Sequence, residues 1–291
     1  MPYLIVMIDP KILFKLKKME FRVKSLVEGK LVGIHRSPYH GFSVEFKEHR
    51  SYNPGDPLKY VDWKVYARTD KFFVKLFEQE TNLTAWILVD VSSSMDYGEP
   101  RKFDYAATLA ALWSYLLIQQ KDEVGLLLFS DKVLHELPPS STRRQLFKIF
   151  ELLDSFKPIG KTNIDQALHK VSDNLTRKGV VILISDLWQP HEQVLPSLQL
   201  VRTKDNHMMV FHVISNDELV LPAERLRFKD LEVNDEILAN PTDIRDSYER
   251  LLKAWIDEYR VNCLKYQIAY QFTPTYEPIE KIVLPFLSLR R

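Results

Sequence analysis

The sequence predicts an α/β protein with an open, mostly parallel sheet and helices on both of its faces. Three observations carry that expectation. Trp86–Val89, Val124–Phe129, Val180–Ile184 and Met208–Ile214 are almost unbroken apolar runs, the composition of strands buried on both sides. Between them lie segments with apolar residues every three or four positions, the spacing of amphipathic helices. Strand and helix signals alternate from Trp86 to Ile214, which is the order of successive βα units.

Helices are predicted over 103–119, 142–156, 164–175 and 193–202, and a short strand over 133–137 that pairs back onto Val124–Phe129 across Ser130-Asp131-Lys132. After Asp217 the pattern becomes mixed. Short strands fit 226–233 and 236–238, a long helix 243–265, a strand 266–272 and a closing helix 278–289. Ahead of the α/β region, residues 33–75 form short alternating stretches, such as Phe42–Phe46 and Phe72–Leu76, around the turn signal Asn53-Pro54-Gly55-Asp56-Pro57. This part is expected to be β-rich and irregular. Ile12, Leu16, Met19, Val23 and Leu26 form an apolar stripe ringed by lysines, a helix that docks on its own domain or, through residues 11–27, touches an anionic membrane surface. The chain thus divides into an N-terminal helix and β-rich region (1–80), an α/β core domain (81–216) and a C-terminal α+β extension packed on that core (217–291).

A chain of 291 residues with 45% hydrophobic content can fill a sizeable core. Forty basic residues against thirty-nine acidic ones leave a formal charge of +1, so net charge selects no nucleic acid. Cys263 stands alone, excluding a disulfide framework and a paired-thiol metal site; it is expected in the core on a helix face and favours a reducing compartment. The apolar run Tyr3–Ile8 is too short to span a membrane and lacks a basic flank or cleavage site, which makes a cytoplasmic protein the expectation. No Gly-x-x-x-x-Gly-Lys loop is present, so any nucleotide hydrolysis belongs to a partner. The histidines, including His35, His40, His49, His207 and His212, show no zinc-site spacing.

Open parallel sheets bind ligands where loops leave the carboxyl ends of the strands. The first core strand runs into Asp90-Val91-Ser92-Ser93-Ser94-Met95, one carboxylate and two hydroxyls at alternate positions of a tight loop. The third ends in Ser185-Asp186-Leu187, and between them Gly160-Lys161-Thr162-Asn163 offers another hydroxyl. Hard divalent cations take oxygen ligands and commonly leave positions for an outside ligand. Asp90, Ser92, Ser94, Thr162 and Asp186 meet that demand with about two negative charges, which leaves a bound ion electrophilic enough to accept an external carboxylate. Two other readings use the same residues. The hydroxyls and carboxylates cap helices and strand ends, or Asp90 and Asp186 hold a metal for phosphoester hydrolysis, for which no further base is apparent nearby. Ser93 or Ser94 as a nucleophile lacks the Gly-x-Ser-x-Gly turn.

Asp-x-Ser-x-Ser after a first strand, with a later loop Thr and an Asp after a later strand, resembles the metal-ion-dependent adhesion site of von Willebrand factor A domains. All five positions match, as Asp90, Ser92, Ser94, Thr162 and Asp186. Gly41–Phe46, Arg50, Tyr52, Pro54-Gly55-Asp56, Val61-Asp62-Trp63 and Ala67-Arg68 resemble the signature that precedes the A domain in the bacterial family called domain of unknown function 58. Together the two resemblances run from about Val32 to the C-terminus. They imply a von Willebrand factor A-like doubly wound sheet, bound Mg²⁺ (with Mn²⁺ and Ca²⁺ not separated from it), and a protein partner that offers Asp or Glu to the metal. They also imply a non-enzymatic interaction module working with a MoxR-type AAA+ ATPase in assembly, maturation or remodelling of another protein. Within the signature, Arg50, Asp56, Asp62 and Arg68, anchored by Tyr52 and Trp63, are expected to form a charged network of buried salt bridges that holds the β-rich part onto the A domain, with a partner surface as the other reading.

Overall fold

The computed structural model describes residues 45–54, 56, 61–78, 83–175, 179–203, 206–220, 226–229, 236–239 and 241–288. The stripe over 11–27, His35, His40 and the start of the Phe42–Phe46 stretch lie outside them. The chain divides into two units, Pro38–Asn82 and the remainder.

In the smaller unit, β1 (Glu45–Ser51) and β2 (Phe73–Glu78) pair antiparallel, with a register irregularity between Phe46 and Glu48. The region is less irregular than expected, because α1 (Trp63–Thr69) lies between the strands. Asp62 starts this helix: its carboxylate accepts from the backbone N–H groups of Lys64 and Val65, the role of an N-cap aspartate. The Arg50–Asp56 pair of the expected charged network is present. Arg50 grips Asp56 bidentately at 2.8 and 2.9 Å, but the pair is half-buried, and Asp62 is engaged in capping. Trp63 is exposed, while Tyr66 stacks on Phe72 at 4.3 Å.

The larger unit is built on a six-stranded sheet in the order β10-β7-β6-β3-β4-β5. These strands are β3 (Thr84–Asp90), β4 (Glu123–Phe129), β5 (Val133–Ser140), β6 (Gly179–Ser185), β7 (His207–Ile214) and β10 (Ala269–Pro274). All neighbours are parallel except β4 and β5, the expected hairpin. The sheet continues past residue 216, since β10 pairs with β7 as its edge strand. Strands β8 (Leu226–Lys229) and β9 (Glu236–Ala239) form a separate antiparallel pair.

Alternating side chains of the central strands sort into two cores, as the period-two geometry of strands requires. Ile87, Val89, Leu126, Leu128, Ile182 and Ile184 pack with α2 (Lys102–Gln119), α3 (Arg143–Ser155) and α8 (Ile279–Ser288) on one face. Trp86, Leu88, Leu127, Val181 and Leu183 pack with α4 (Ile164–Asn174), α5 (His191–Thr203) and α7 (Pro241–Lys265) on the other. The helices-on-both-faces arrangement predicted from sequence, including the doubly wound sheet implied by the A-domain resemblance, is the one observed. Cys263 is buried on α7, where burial pushes its thiol pKa up to about 12. Helix α2 departs from the amphipathic expectation: it is buried nearly all round, from Lys102 to Ile118. Among the described residues no helix is long and apolar enough to cross a membrane.

β3 lies between β4 and β6, so the end of β3 and the end of β6 meet at one edge. Gly179 sets that approach at the opposite end, because a Cβ there would stand 2.5 Å from the Thr84 carbonyl oxygen. Gly179→Ala is expected to force β6 from β3 and to cost about 1–3 kcal/mol, measured by urea denaturation; an unchanged midpoint would show that the strands tolerate the displacement.

Candidate metal site

Asp90 ends β3, and its carboxylate is completely buried. Three neutral donors hold it. The backbone N–H of Ser92 donates to Oδ1 at 2.9 Å, and the hydroxyls of Thr162 and Ser185 each donate to Oδ2 at 2.7 Å. Beside the carboxylate, Ser92 Oγ shares a hydrogen bond with Ser94 Oγ at 3.0 Å. Ser92 is buried, and Ser94 and Thr162 are partly exposed, so the hydroxyl cluster opens toward solvent on the Ser94 and Thr162 side.

The loops are fixed by the backbone. Ser92 leads into a single 3-10 turn, Ser93–Met95, and the Ser93 N–H donates to the Gly160 carbonyl at 2.8 Å. The Ile159 N–H returns a bond to Val91 O at 2.7 Å, and Asn163 N–H donates to Ser130 O at 2.8 Å. Gly160 has φ +84, and a Cβ there would crowd Ser130 Oγ at 3.1 Å, so glycine permits the turn that carries Thr162 to Asp90. Beyond β6, Leu187 is held at φ 55, a strained backbone for a leucine. Its N–H is fastened to Ser185 Oγ at 2.9 Å, which keeps Ser185 and Asp186 in place.

Asp186 is also completely buried and sits close enough to raise the pKa of Asp90 electrostatically. All five residues singled out in the sequence therefore converge on one edge. Three others belong with them that sequence reasoning did not single out. Ser185 is the second hydroxyl on Asp90. Lys102, the first residue of α2, is fully buried and donates to Asp186 Oδ2 at 2.7 Å and to Glu218 Oε1 at 2.5 Å. Glu218 belongs to the short helix α6 (Asn216–Leu219), where it closes a capping box with Ser215. Position beside the Asp-x-Ser-x-Ser loop was the signal for Lys102; nothing in the sequence marks its burial. His212 lies beneath, bonded to the Asp186 carbonyl at 2.9 Å and to Tyr270 OH at 2.6 Å. Burial first of all pushes its pKa down to about 3, so it stays neutral and structural, as the spacing of histidines suggested.

The two carboxylates differ in charge compensation. Asp186 has Lys102. Asp90 makes no ion pair with any described residue, and burial, then the charge of Asp186, pushes its pKa up to about 6 against the bonds from Ser92 and Ser185. A buried carboxylate without a cation, surrounded by hydroxyls whose lone pairs remain available after they donate, is a donor set that suits a hard divalent ion. Asp90, Ser92, Ser94 and Thr162 fit such an ion, with Asp186 beside them. Among the described residues no group of three or more His, Cys, Asp or Glu side chains is placed to hold a metal, so the donor set here rests on hydroxyls.

The family model described as protein of unknown function DUF58 matches residues 48–255, a span that contains all eight of these side chains. The chain belongs to this family. Among curated relatives, an uncharacterized protein of Mycobacterium tuberculosis is 26% identical over 219 residues, covering 74% of this chain and 68% of the relative. Among solved structures, the conserved hypothetical protein BatB from Bacteroides thetaiotaomicron is similar at 15% identity, with 72% of this chain and 100% of that chain covered and a TM-score of 0.47. An aerotolerance-related membrane protein from Bacteroides fragilis is similar at 16% identity, with the same coverage and a TM-score of 0.49.

Between pH 3.8 and about 6 the folded DUF58 chain keeps a proton on Asp90 that the unfolded chain has released. The folded state then binds more protons, so the metal-free protein loses stability as pH rises through that window. In chelator, Asp90→Asn is expected to melt a few degrees above wild type at pH 7, with the gap closing toward pH 4. Melting curves across that range check it, and a wild type that is the more stable form at pH 7 contradicts it.

Proposed function

We propose that this DUF58 protein is a divalent-metal-dependent protein-interaction module in which Asp90, Ser92, Ser94 and Thr162 hold Mg²⁺ or Mn²⁺, with Asp186 in support, and an Asp or Glu of a partner protein completes the site. The observation that carries the reading is the buried, cation-free carboxylate of Asp90 at the centre of three hydroxyls from two loops. When bound, the ion supplies an electrophilic centre for an outside carboxylate oxygen. The chain's own residues do the rest. Thr162 and Ser185 orient the Asp90 carboxylate, and the Ser93–Gly160 backbone bond locks the two hydroxyl-bearing loops together.

The surroundings support docking of a protein. Exposed Tyr97, Ile159 and Trp188 lie in the same three loops that carry the ligand set, so a partner's acidic side chain reaches the site past apolar surface. Asp186 is committed to Lys102. That arrangement disfavours the alternative of a phosphoester hydrolase using Asp90 and Asp186 as paired metal ligands, which needs both carboxylates and an activated water. The partner and its ATPase, of the MoxR type by family resemblance, form the outer part of the proposal. The work of the complex is assembly, maturation or remodelling of a client protein.

Calorimetric titration of metal-stripped protein with Mg²⁺ and Mn²⁺ is expected to show one saturable site. Ser94→Ala, verified as folded by circular dichroism, is expected to weaken that binding about tenfold or more. Asp90→Ala is expected to abolish metal-dependent capture of the cognate MoxR-type ATPase or its client while leaving the fold intact. Binding of metal to Ser94→Ala at wild-type strength, or capture that persists in chelator, would sink the reading; turnover of phosphoesters by the purified protein would establish the hydrolase instead.

A further inference from the structure

Lys102 is the only lysine or arginine buried among the described residues, and its ammonium lies wholly out of water between two carboxylates. Burying an ammonium is unfavourable unless its partners are well placed. Here burial pulls the lysine pKa down, but Asp186 and Glu218 together carry it above its ordinary value, so the side chain stays charged. Both partners are themselves fixed. Glu218 is held by the Ser215 N–H at 2.7 Å and by Trp188 Nε1 at 3.1 Å, and its carbonyl accepts from Tyr248 OH at 2.8 Å. Lys102 in turn is anchored at the start of α2, with its N–H on Tyr97 O at 2.9 Å. With Asp90, Asp186 and Glu218 ionised and Lys102 protonated, the cluster carries three negative charges and one positive, a balance that one divalent ion brings to neutrality.

We propose that Lys102 is a resident counter-ion of the metal site. By keeping Asp186 for itself, it lets the site stay folded without a metal and holds metal affinity low enough for binding to be reversible. The proposal rests on the reading that the site binds a divalent ion. Lys102 acts through Asp186 and is a positioning residue, not a ligand. Glu218 has the opposite effect: it draws the ammonium partly away from Asp186, which leaves that carboxylate more of its charge for a metal.

The test is calorimetry with Mg²⁺ and Mn²⁺ on metal-stripped wild type, Lys102→Met, Glu218→Gln and, as a control, Lys161→Met, together with melting curves in chelator and in excess Mg²⁺. Lys161 is exposed in the Thr162 loop and has no bond to Asp186. Lys102→Met is expected to melt below wild type in chelator, to recover in Mg²⁺, and to bind Mg²⁺ about tenfold or more tightly. Glu218→Gln keeps the capping geometry and is expected to bind about threefold more weakly. Lys161→Met should stay within about twofold of wild type, because an exposed charge is screened. If Lys102→Met does not fold, the direction of the Glu218→Gln change decides. Wild type that binds metal while Lys102→Met binds it no more tightly, or Glu218→Gln that binds more tightly, overturns the role given to Lys102 alone; wild type that binds no ion overturns the metal site with it.

Discussion

A carboxylate removed from water at the end of a central parallel strand is the constraint around which the larger unit is arranged. Asp90 stands on β3 between β4 and β6, where the sheet is covered on both faces and solvent reaches only the strand ends. Leaving such a group without donors would cost several kcal/mol. The surrounding loops meet that demand with one backbone N–H and two hydroxyls at 2.7–2.9 Å. Each donor requires its own local device: the 3-10 turn after Ser92, the left-handed Gly160 before Thr162, and the strained Leu187 after Ser185.

Hydrogen bonds from neutral groups orient a carboxylate but do not cancel its charge, and Asp186 nearby adds a second one. The protein answers only half of this electrostatic problem by itself, by driving Lys102 into the interior against Asp186 and Glu218. The lysine also ties three separate pieces of chain together: the start of α2, the loop after β6 and the capping box after β7. Trp188 extends the connection outward, since its indole bonds Glu218 and stacks on Trp255 of α7 at 4.3 Å. In the proposed reading, the remaining charge on Asp90 is what would draw a divalent ion there.

Much of this was legible in the sequence for physical reasons. Doubly covered parallel strands must be apolar on both faces, so Val180–Ile184 and Met208–Ile214 announced themselves, and ligand sites of such sheets lie after the strands, which pointed to Asp90 and Asp186. The short helix α1 was hidden because its start depends on one side chain, Asp62, folding back onto two N–H groups within a stretch dominated by strand and turn signals. Strand β10 was recognised as a strand, but its place at the sheet edge beside β7 is a long-range pairing that local pattern does not encode. Lys102, Ser185 and Glu218 were missed for a related reason. A lysine at a helix start ordinarily lies in solvent, and only the meeting of α2 with the ends of β6 and β7 turns this one inward.

The most direct measurement is a crystal structure of the protein soaked in Mn²⁺, located by its anomalous scattering. The account predicts a single strong peak at roughly 2.0–2.2 Å from oxygens of Ser92, Ser94 and Asp90 or Thr162, with Lys102 still seated between Asp186 and Glu218. A peak elsewhere, or a fully ordered site with no manganese in it at saturating concentration, would contradict it.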